Sequence, residues 1–461
     1  MRLRFHGGTL VLEGVDVGVG LPPPFRLVKG KPRCPAVHYA TLLPWLREHN
    51  VHDTVPRWRT LSLRLADPRQ PHAYQLEALD AWLKTDGRGS VVLPTGAGKT
   101  LVAIHAIARL ARSTLVVVPT IDLLHQWYAC LTTAFPGAEI GVFYGLEKEL
   151  RDVTVTTYHS ASTYIGDFGD AFKLLIFDEA HHLPAPAWHE IALMSVAPHR
   201  LGLTATYPQA ADPLFASLRL SLDELIGPLV YVKSVDDLSG KELAEYRTVR
   251  VWVDLTPEER QAYDAAYAEY VGYSREAGLR ESHGPGWWGE YTRRSAFDAD
   301  ARRAKVAERR LRRLIAKAQN KLNALDDLLK QHAHERLLIF TEHNELVYHI
   351  SRRHLLPAIT HQTTAKERKA LLDGFKAGRY RAIVTSRVLN EGVDVPEAKV
   401  AVILGGSASA QEYVQRLGRI LRKRDNQTAL LYEVVARGTV ETGIAQRRRR
   451  KLTYSISQAV G

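Results

Sequence analysis

One stretch, SVVLPTGAGKT at residues 90–100, restricts what this chain can fold into more than any other. Val91, Val92 and Leu93 read as a short buried strand, and the chain then turns through Pro94, Thr95, Gly96, Ala97 and Gly98. Beyond Lys99 and Thr100, apolar residues recur at Leu101, Ile104, Ile107, Ala108 and Ala111, which is helical spacing. Strand, glycine-bearing turn, Lys-Thr and helix together are the layout of a phosphate-binding loop, the alternative being a glycine turn that binds nothing. Glycines let successive backbone N–H groups converge on phosphate oxygens, and the helix N-terminus adds its positive dipole end. Thr95, Gly96, Ala97, Gly98, Lys99 and Thr100 would then hold a nucleotide. Lys99 reaches the β- and γ-phosphates, and the Thr100 hydroxyl ligates Mg²⁺. The full pattern has a further glycine where this chain carries Leu93.

After the loop, strand and helix signals alternate: TLVVVPT at 114–120, a helix through LLHQWYACL, DVTVTTYHS at 152–160, KLLIFDEAHH at 173–182 and HRLGLTAT at 199–206. Such alternation predicts a doubly wound parallel sheet with ligands at the carboxyl ends of its strands. Asp178 and Glu179 follow the apolar run LLIF and so fall at that edge. Asp178 suits Mg²⁺, and Glu179 suits polarising the attacking water. His181, His182 and His189 invite a metal reading, but such a site would compete with the carboxylate role.

The 461 residues suggest about three domains at one per ~150 residues. Residues 1–65 read as a small α+β module of short strands and one helix, HYATLLPWLREH, interrupted or kinked at Pro44. Its Pro-rich basic loop fits a DNA-probing or partner-docking module, or a cap packed on the next domain. Residues 66–234 form the first α/β domain and 235–461 the second, with a helical insertion at about 258–330. There GPGWWGEYTRR carries Trp287, Trp288 and Tyr291, and a long helix starting near Asp298 bears Arg302, Arg303, Arg309 and Arg313. Cations interleaved with aromatics point to nucleic acid, although such a run is also simply a solvated helix face.

Sixty-two Lys plus Arg against fifty Asp plus Glu give +12, which favours a polyanionic partner. No apolar run approaches the ~20 residues of a membrane span, and the start has no signal-peptide pattern. Two distant cysteines, Cys34 and Cys130, indicate neither a disulfide framework nor a cysteine metal site. A cytoplasmic location follows as the expectation. The basic run Arg447–Lys451 reads as a phosphate-binding tail or a soluble helix end.

Gln75, PTGAGKT, VVVPT, DEAHH and LGLTAT, in this order, resemble the first RecA-like domain of a superfamily 2 helicase. RLLIFTEHNELVYHI (336–350), TSRVLNEGVDVPEAKVAVIL (385–404) and QEYVQRLGRILRKR (411–424) resemble the second. SRVLNEGVDVP and QRLGRILR match the XPB-type DNA repair helicases, in their archaeal and bacterial short form, more closely than the DEAH-box RNA helicases. The resemblance implies two RecA-like domains with a thumb-like insertion that grips duplex DNA through Trp287, Trp288 and the arginines named above. It implies ATP and Mg²⁺ as ligands, with Gln75 reading the adenine edge. Gln415, Arg419 and Arg422 would face the nucleotide, and Asp394 would lie near it. His181, Thr204 and Thr206 would couple hydrolysis to DNA. A DNA-dependent translocase or helicase of nucleotide excision repair is the leading expectation, acting as a monomer with a nuclease partner such as the Bax-type nuclease of archaeal XPB. An RNA helicase and an ATP-switched clamp are the alternatives. The family's Arg-Glu-Asp motif is missing after Thr206, where the chain reads Tyr207, Pro208, Gln209, Ala210, Ala211, Asp212. Weak strand separation by the protein alone is therefore expected, with Trp287 and Trp288 or a partner supplying the wedge.

Overall fold

The computed structural model describes residues 1–15, 20–55, 58, 60–208, 220–240, 245–283, 287–386, 398–405, 428–443 and 445. Asp394, Gln415, Arg419, Arg422, the loop from Gln209 onward and the basic tail lie outside the described residues. Two compact units divide the chain, one of Met1–Gln209 with Leu218–Ser234 and one of Ala210–Ser217 with Val235–Gly461.

The first unit is built on an eight-stranded sheet, ordered Leu229–Val232, Arg88–Val92, His199–Thr204, Leu174–Asp178, Thr114–Val118, Val153–Thr157, Ile140–Tyr144 and Glu147–Lys148. All pairings are parallel except the terminal hairpin of the last two strands. Every residue of Thr114–Val118, Val153–Thr157 and Leu174–Asp178 is buried, as a sheet covered by helices on both faces requires. Register fixes the site. Asp178 pairs with Leu203, and Leu203 with Val91, so the strand ending at Thr204 lies between the phosphate loop and the acidic pair.

The N-terminal module is a five-stranded sheet, ordered Arg26–Val28, Lys31–Pro35, Thr9–Glu13, Arg2–His6 and His52–Asp53, closed by the helix Tyr39–Glu48. That helix is not interrupted at Pro44 as the sequence suggested. Tyr39, Leu42 and Leu46 are buried, and their packing outweighs the one backbone hydrogen bond that proline removes. The module's core includes Val196 of the larger sheet's flank. Trp58 donates to the carbonyl of Asp170 at 3.2 Å.

Arg200 opens the strand His199–Thr204 and is fully buried. Among the described residues it has no carboxylate partner. Its guanidinium donates to the carbonyls of Ala197 (3.2 Å), Leu225 (2.5 Å), Ala192 (2.9 Å) and Ser195 (3.0 Å). A planar five-donor fork suits such a ring of acceptors in a way no other side chain does.

The second unit has a six-stranded, wholly parallel sheet, ordered Tyr246–Val253, Ala429–Ala436, Val400–Ile403, Leu337–Phe340, Ala382–Thr385 and Ala358–Ile359. The helices Pro257–Glu276 and Ala299–Lys317 pack together as the insertion. The single long helix expected from Asp298 is in fact two. Asp298 caps the first, accepting from the amides of Asp300 and Ala301, but the helix stops at Ala318 (ψ 130°) and Gln319–Gln331 begins afresh. The break turns Leu322, Leu325 and Leu328 into the sheet's core. It also brings the buried Lys321 ammonium to Glu441 at 2.6 Å.

Arg200→Met should lower the stability of the unit by at least about 3 kcal/mol, because several buried carbonyls lose their donor at about 1–3 kcal/mol each. Urea denaturation followed by circular dichroism measures this, and a loss below 1 kcal/mol would contradict a fastening role.

Candidate nucleotide site

The phosphate loop opens at Leu93, whose amide bonds to the Thr204 carbonyl at 3.0 Å. That residue lies just beyond the strand Arg88–Val92 and its side chain is fully buried, which is why the position tolerates leucine. Gly96 (φ 88°) and Gly98 (φ 74°) then take left-handed backbone conformations. At Gly98 a Cβ would lie 2.4 Å from Gln75 Nε2. Helix Lys99–Leu110 follows directly. The Lys99 ammonium reaches back to the Leu93 carbonyl at 3.4 Å. The buried Thr95 hydroxyl has no hydrogen-bond partner among the described residues.

Gln75 was anticipated at an adenine edge, yet its amide is spent on the protein. Oε1 accepts from the His72 amide at 2.9 Å and Nε2 donates to the Ala97 carbonyl at 2.9 Å. Tyr74 adds a second brace, its hydroxyl donating to the same Ala97 carbonyl at 2.8 Å. Both side chains thus pin the back of the loop.

Across the intervening strand, Asp178 and Glu179 are 5% and 7% exposed. Burial, and after it the neighbouring Glu179 charge, push the Asp178 carboxyl up to about 6, while Lys99 and the Trp127 hydrogen bond pull the other way. Asp178 Oδ2 accepts from the Trp127 indole at 2.7 Å and Oδ1 from the Glu179 amide at 3.0 Å. Glu179 sits at φ 48°, a strained conformation for a residue with a side chain. Its buried Oε2 makes no hydrogen bond among the described residues and lies 3.5 Å from His181 Nδ1. His181 Nδ1 is in turn 3.0 Å from the Thr204 hydroxyl. That hydroxyl donates to the Thr206 carbonyl at 2.8 Å and accepts from the Thr206 amide at 3.2 Å. With its proton so committed, it takes the hydrogen from His181. The structure therefore brings Glu179, His181, Thr204 and Thr206 into one chain of contacts.

The donor set fits a magnesium nucleotide. Mg²⁺ prefers oxygen ligands and is typically held by one or two carboxylates together with substrate phosphates, which Asp178 and the Thr100 hydroxyl can complement. Trp127, Tyr74 and Tyr158, whose hydroxyl donates to the Asp178 carbonyl at 3.2 Å, escaped the sequence reading. On the chain they look like ordinary core aromatics at helical spacing.

In the insertion, Trp287 and Trp288 are not free-standing. They are half-buried against Tyr270, Leu279, Tyr291, Ala304 and Ala307, edge to face with centroids 5.4 Å apart. Lys305 lies 3.7 Å over the Trp288 ring. Arg302 donates to the carbonyls of Ser295 and Ala296. Arg303 pairs with Asp300, and Arg313 and Lys317 with Glu345. Arg309 is exposed, with no ion pair among the described residues.

Residues 69–209 match the family model of the type III restriction enzyme res subunit, and residues 320–424 that of the helicase conserved C-terminal domain. The chain is 39% identical over 402 residues to the DNA 3'-5' translocase XPB2 of Sulfurisphaera tokodaii, covering 87% of this chain and 88% of that protein. It is 33% identical to the DNA 3'-5' helicase XPB of Kineococcus radiotolerans and 32% identical to that of Mycobacterium tuberculosis. Each of these alignments covers 82% of this chain, but only 62% and 63% of the respective relatives. The crystal structure of the Pyrococcus furiosus Hef helicase domain shares the fold, with a TM-score of 0.50 at 20% identity over 82% of this chain and 98% of that one.

Gly98→Ala should weaken nucleotide binding at least about tenfold without unfolding the protein, since an αL alanine costs about 1–2 kcal/mol before its contact with Gln75 is counted. Calorimetric titration with ADP measures it, and an unaltered affinity would mean that the loop does not cradle phosphate.

Proposed function

The chain belongs to the XPB family of DNA 3'-5' helicases and translocases, and from that premise we propose that it couples ATP hydrolysis to movement along duplex or forked DNA in repair. The observation that carries this is the alignment of the phosphate loop, the strand ending at Thr204 and the Asp178–Glu179 pair along one sheet edge.

In this mechanism the loop amides and Lys99 bind the phosphates, and Lys99 offsets charge that develops on the γ-phosphoryl group. Asp178 and Thr100 would hold Mg²⁺, which would supply charge neutralisation at the phosphates. Glu179 orients the attacking water and accepts its proton at the carboxylate oxygen that has no hydrogen-bond partner. His181 senses that event and passes it to Thr204 and Thr206. Gln415, Arg419 and Arg422 are assigned to stabilising the transferring phosphoryl group and Asp394 to the nucleotide; a planar, permanently charged guanidinium suits the first role. Residues 1–65, 66–234 and 235–461 are taken as the functional domains. Among the described residues no helix is long and apolar enough to cross a membrane. A cytoplasmic monomer working with a nuclease is the setting we assign.

A translocase that separates strands poorly alone is favoured by the packing of Trp287 and Trp288, since rings half-buried against a core cluster offer only part of their faces as a wedge.

Lys99→Ala should remain folded and lose ATP hydrolysis, whereas Glu179→Gln should bind ATP and hydrolyse it at least about 10²-fold more slowly. Parental turnover in either variant would remove that residue from the mechanism. ATPase stimulation by duplex DNA and not by RNA is expected of the parent, and the reverse would select the RNA helicase. With the protein alone, triplex displacement should proceed while fork unwinding is weak. Efficient unwinding that survives Trp287→Ala with Trp288→Ala would refute the poor separation.

A further inference from the structure

Trp127 lies on the helix Ile121–Ala134, whose first turn is fixed by the Thr120 hydroxyl accepting from the Leu123 amide at 3.2 Å. The ring is 1% exposed, and its N–H donates to Asp178 Oδ2 at 2.7 Å. Indole is a donor only, so this bond has a single polarity. The second carboxylate oxygen is held from the main chain by the Glu179 amide, and the Asp178 carbonyl by the Tyr158 hydroxyl. Filling the core does not require the donor, because an all-carbon ring would occupy most of the same space. The torsion that spins an aspartate carboxylate about its Cβ–Cγ bond is broad and two-fold, so without a fixed partner the group has no preferred plane. Here each oxygen has its own donor, the Trp127 indole on Oδ2 and the Glu179 amide on Oδ1, and the two together set one plane.

We propose that Trp127 is a positioning residue for the metal-dependent step, its indole N–H fixing the plane of the Asp178 carboxylate so that the remaining lone pairs face the phosphate loop. The proposal rests on the nucleotide assignment above and adds to it the group that makes Asp178 a competent ligand. Partners of this kind, bonded to a ligand and not to the metal, typically contribute about 10–100-fold in metal affinity. Trp127 touches neither substrate nor metal, so its removal should act through Mg²⁺ alone. Contacts between the phosphates and the loop are made elsewhere and should be unaffected.

The test is a titration of ADP carrying an N-methylanthraniloyl fluorophore on its ribose, with parent and Trp127→Phe, once in EDTA and once across a Mg²⁺ series. Affinity in EDTA should stay within about twofold, while the Mg²⁺ concentration giving half-maximal tightening rises about 10–100-fold. A second variant guards against loss of packing. Benzothienylalanine at position 127 keeps the bicyclic shape and replaces the N–H with sulfur, and it should produce the same rise. A parent that tightens with Mg²⁺ while both variants follow its curve would overturn the proposal alone. An equal loss in EDTA and in Mg²⁺ would also overturn it, as the signature of packing. A parent that binds without any Mg²⁺-dependent tightening would overturn the proposal alone, and a parent that binds in neither condition would overturn the nucleotide assignment together with it.

Discussion

Two neighbouring carboxylates, Asp178 and Glu179, sit almost out of water at the end of a strand whose other residues are all apolar, and their surroundings are arranged to tolerate that. Taking a charge out of water costs several kcal/mol unless partners replace the lost hydration. Asp178 is compensated by an indole, a backbone amide and the nearby Lys99 charge, yet its proton affinity still rises, so compensation is incomplete. Glu179 is served less well: its backbone is left-handed and one oxygen lacks a hydrogen bond. Uncompensated charge and local strain are concentrated where a cation and a water would relieve them. The site is thereby organised for its ligand at the expense of the unliganded fold.

The strand His199–Thr204 transmits this arrangement through the first unit. At its carboxyl end Thr204 receives the contact from His181, and beside its start Arg200 gathers four carbonyls of the flanking segments. Three of these belong to residues 192–197, the stretch on which the N-terminal module is seated through Val196. A guanidinium held this way leaves the segment little freedom to slide against the strand. The strand His199–Thr204 thus connects the segment on which the module is seated to the catalytic edge.

Most of this architecture was legible in the chain because parallel sheets announce themselves. Runs such as TLVVV and LLIF are continuously apolar, and the loops after them carry the chemistry. What could not be read was the support. Trp127 and Tyr74 are indistinguishable on the page from core aromatics, since only the three-dimensional register brings their polar atoms to Asp178 Oδ2 and the Ala97 carbonyl. Leu93 looked like a defect in the phosphate loop. It directly follows the strand Arg88–Val92, and its amide still bonds to Thr204. The helix expected from Asp298 was overextended because leucine spacing runs through Ala318, and periodicity cannot register a break that keeps the same residues facing inward. At Pro44 the helix runs on without interruption, local propensity giving way to three buried side chains.

The insertion shows how far a charge count can be from a binding surface. Arg302, Arg303, Arg309 and Arg313 are equal in the sequence but not in the structure. Arg303 and Arg313 are tied only to exposed carboxylates, and such pairs are weak in water, so phosphate can displace Asp300 or Glu345 with little loss. Arg302 is different: its guanidinium satisfies two carbonyls just ahead of the Asp298 cap, and drawing it to a phosphate would leave the helix start unsupported. Arg309 needs no exchange at all. The four cations thus divide into one that is available, two that are exchangeable and one that is structural. If the insertion grips DNA as the family resemblance implies, a salt-dependence slope for DNA binding should count the first three and omit Arg302, because a cation contributes counterion release only if it reaches the phosphate.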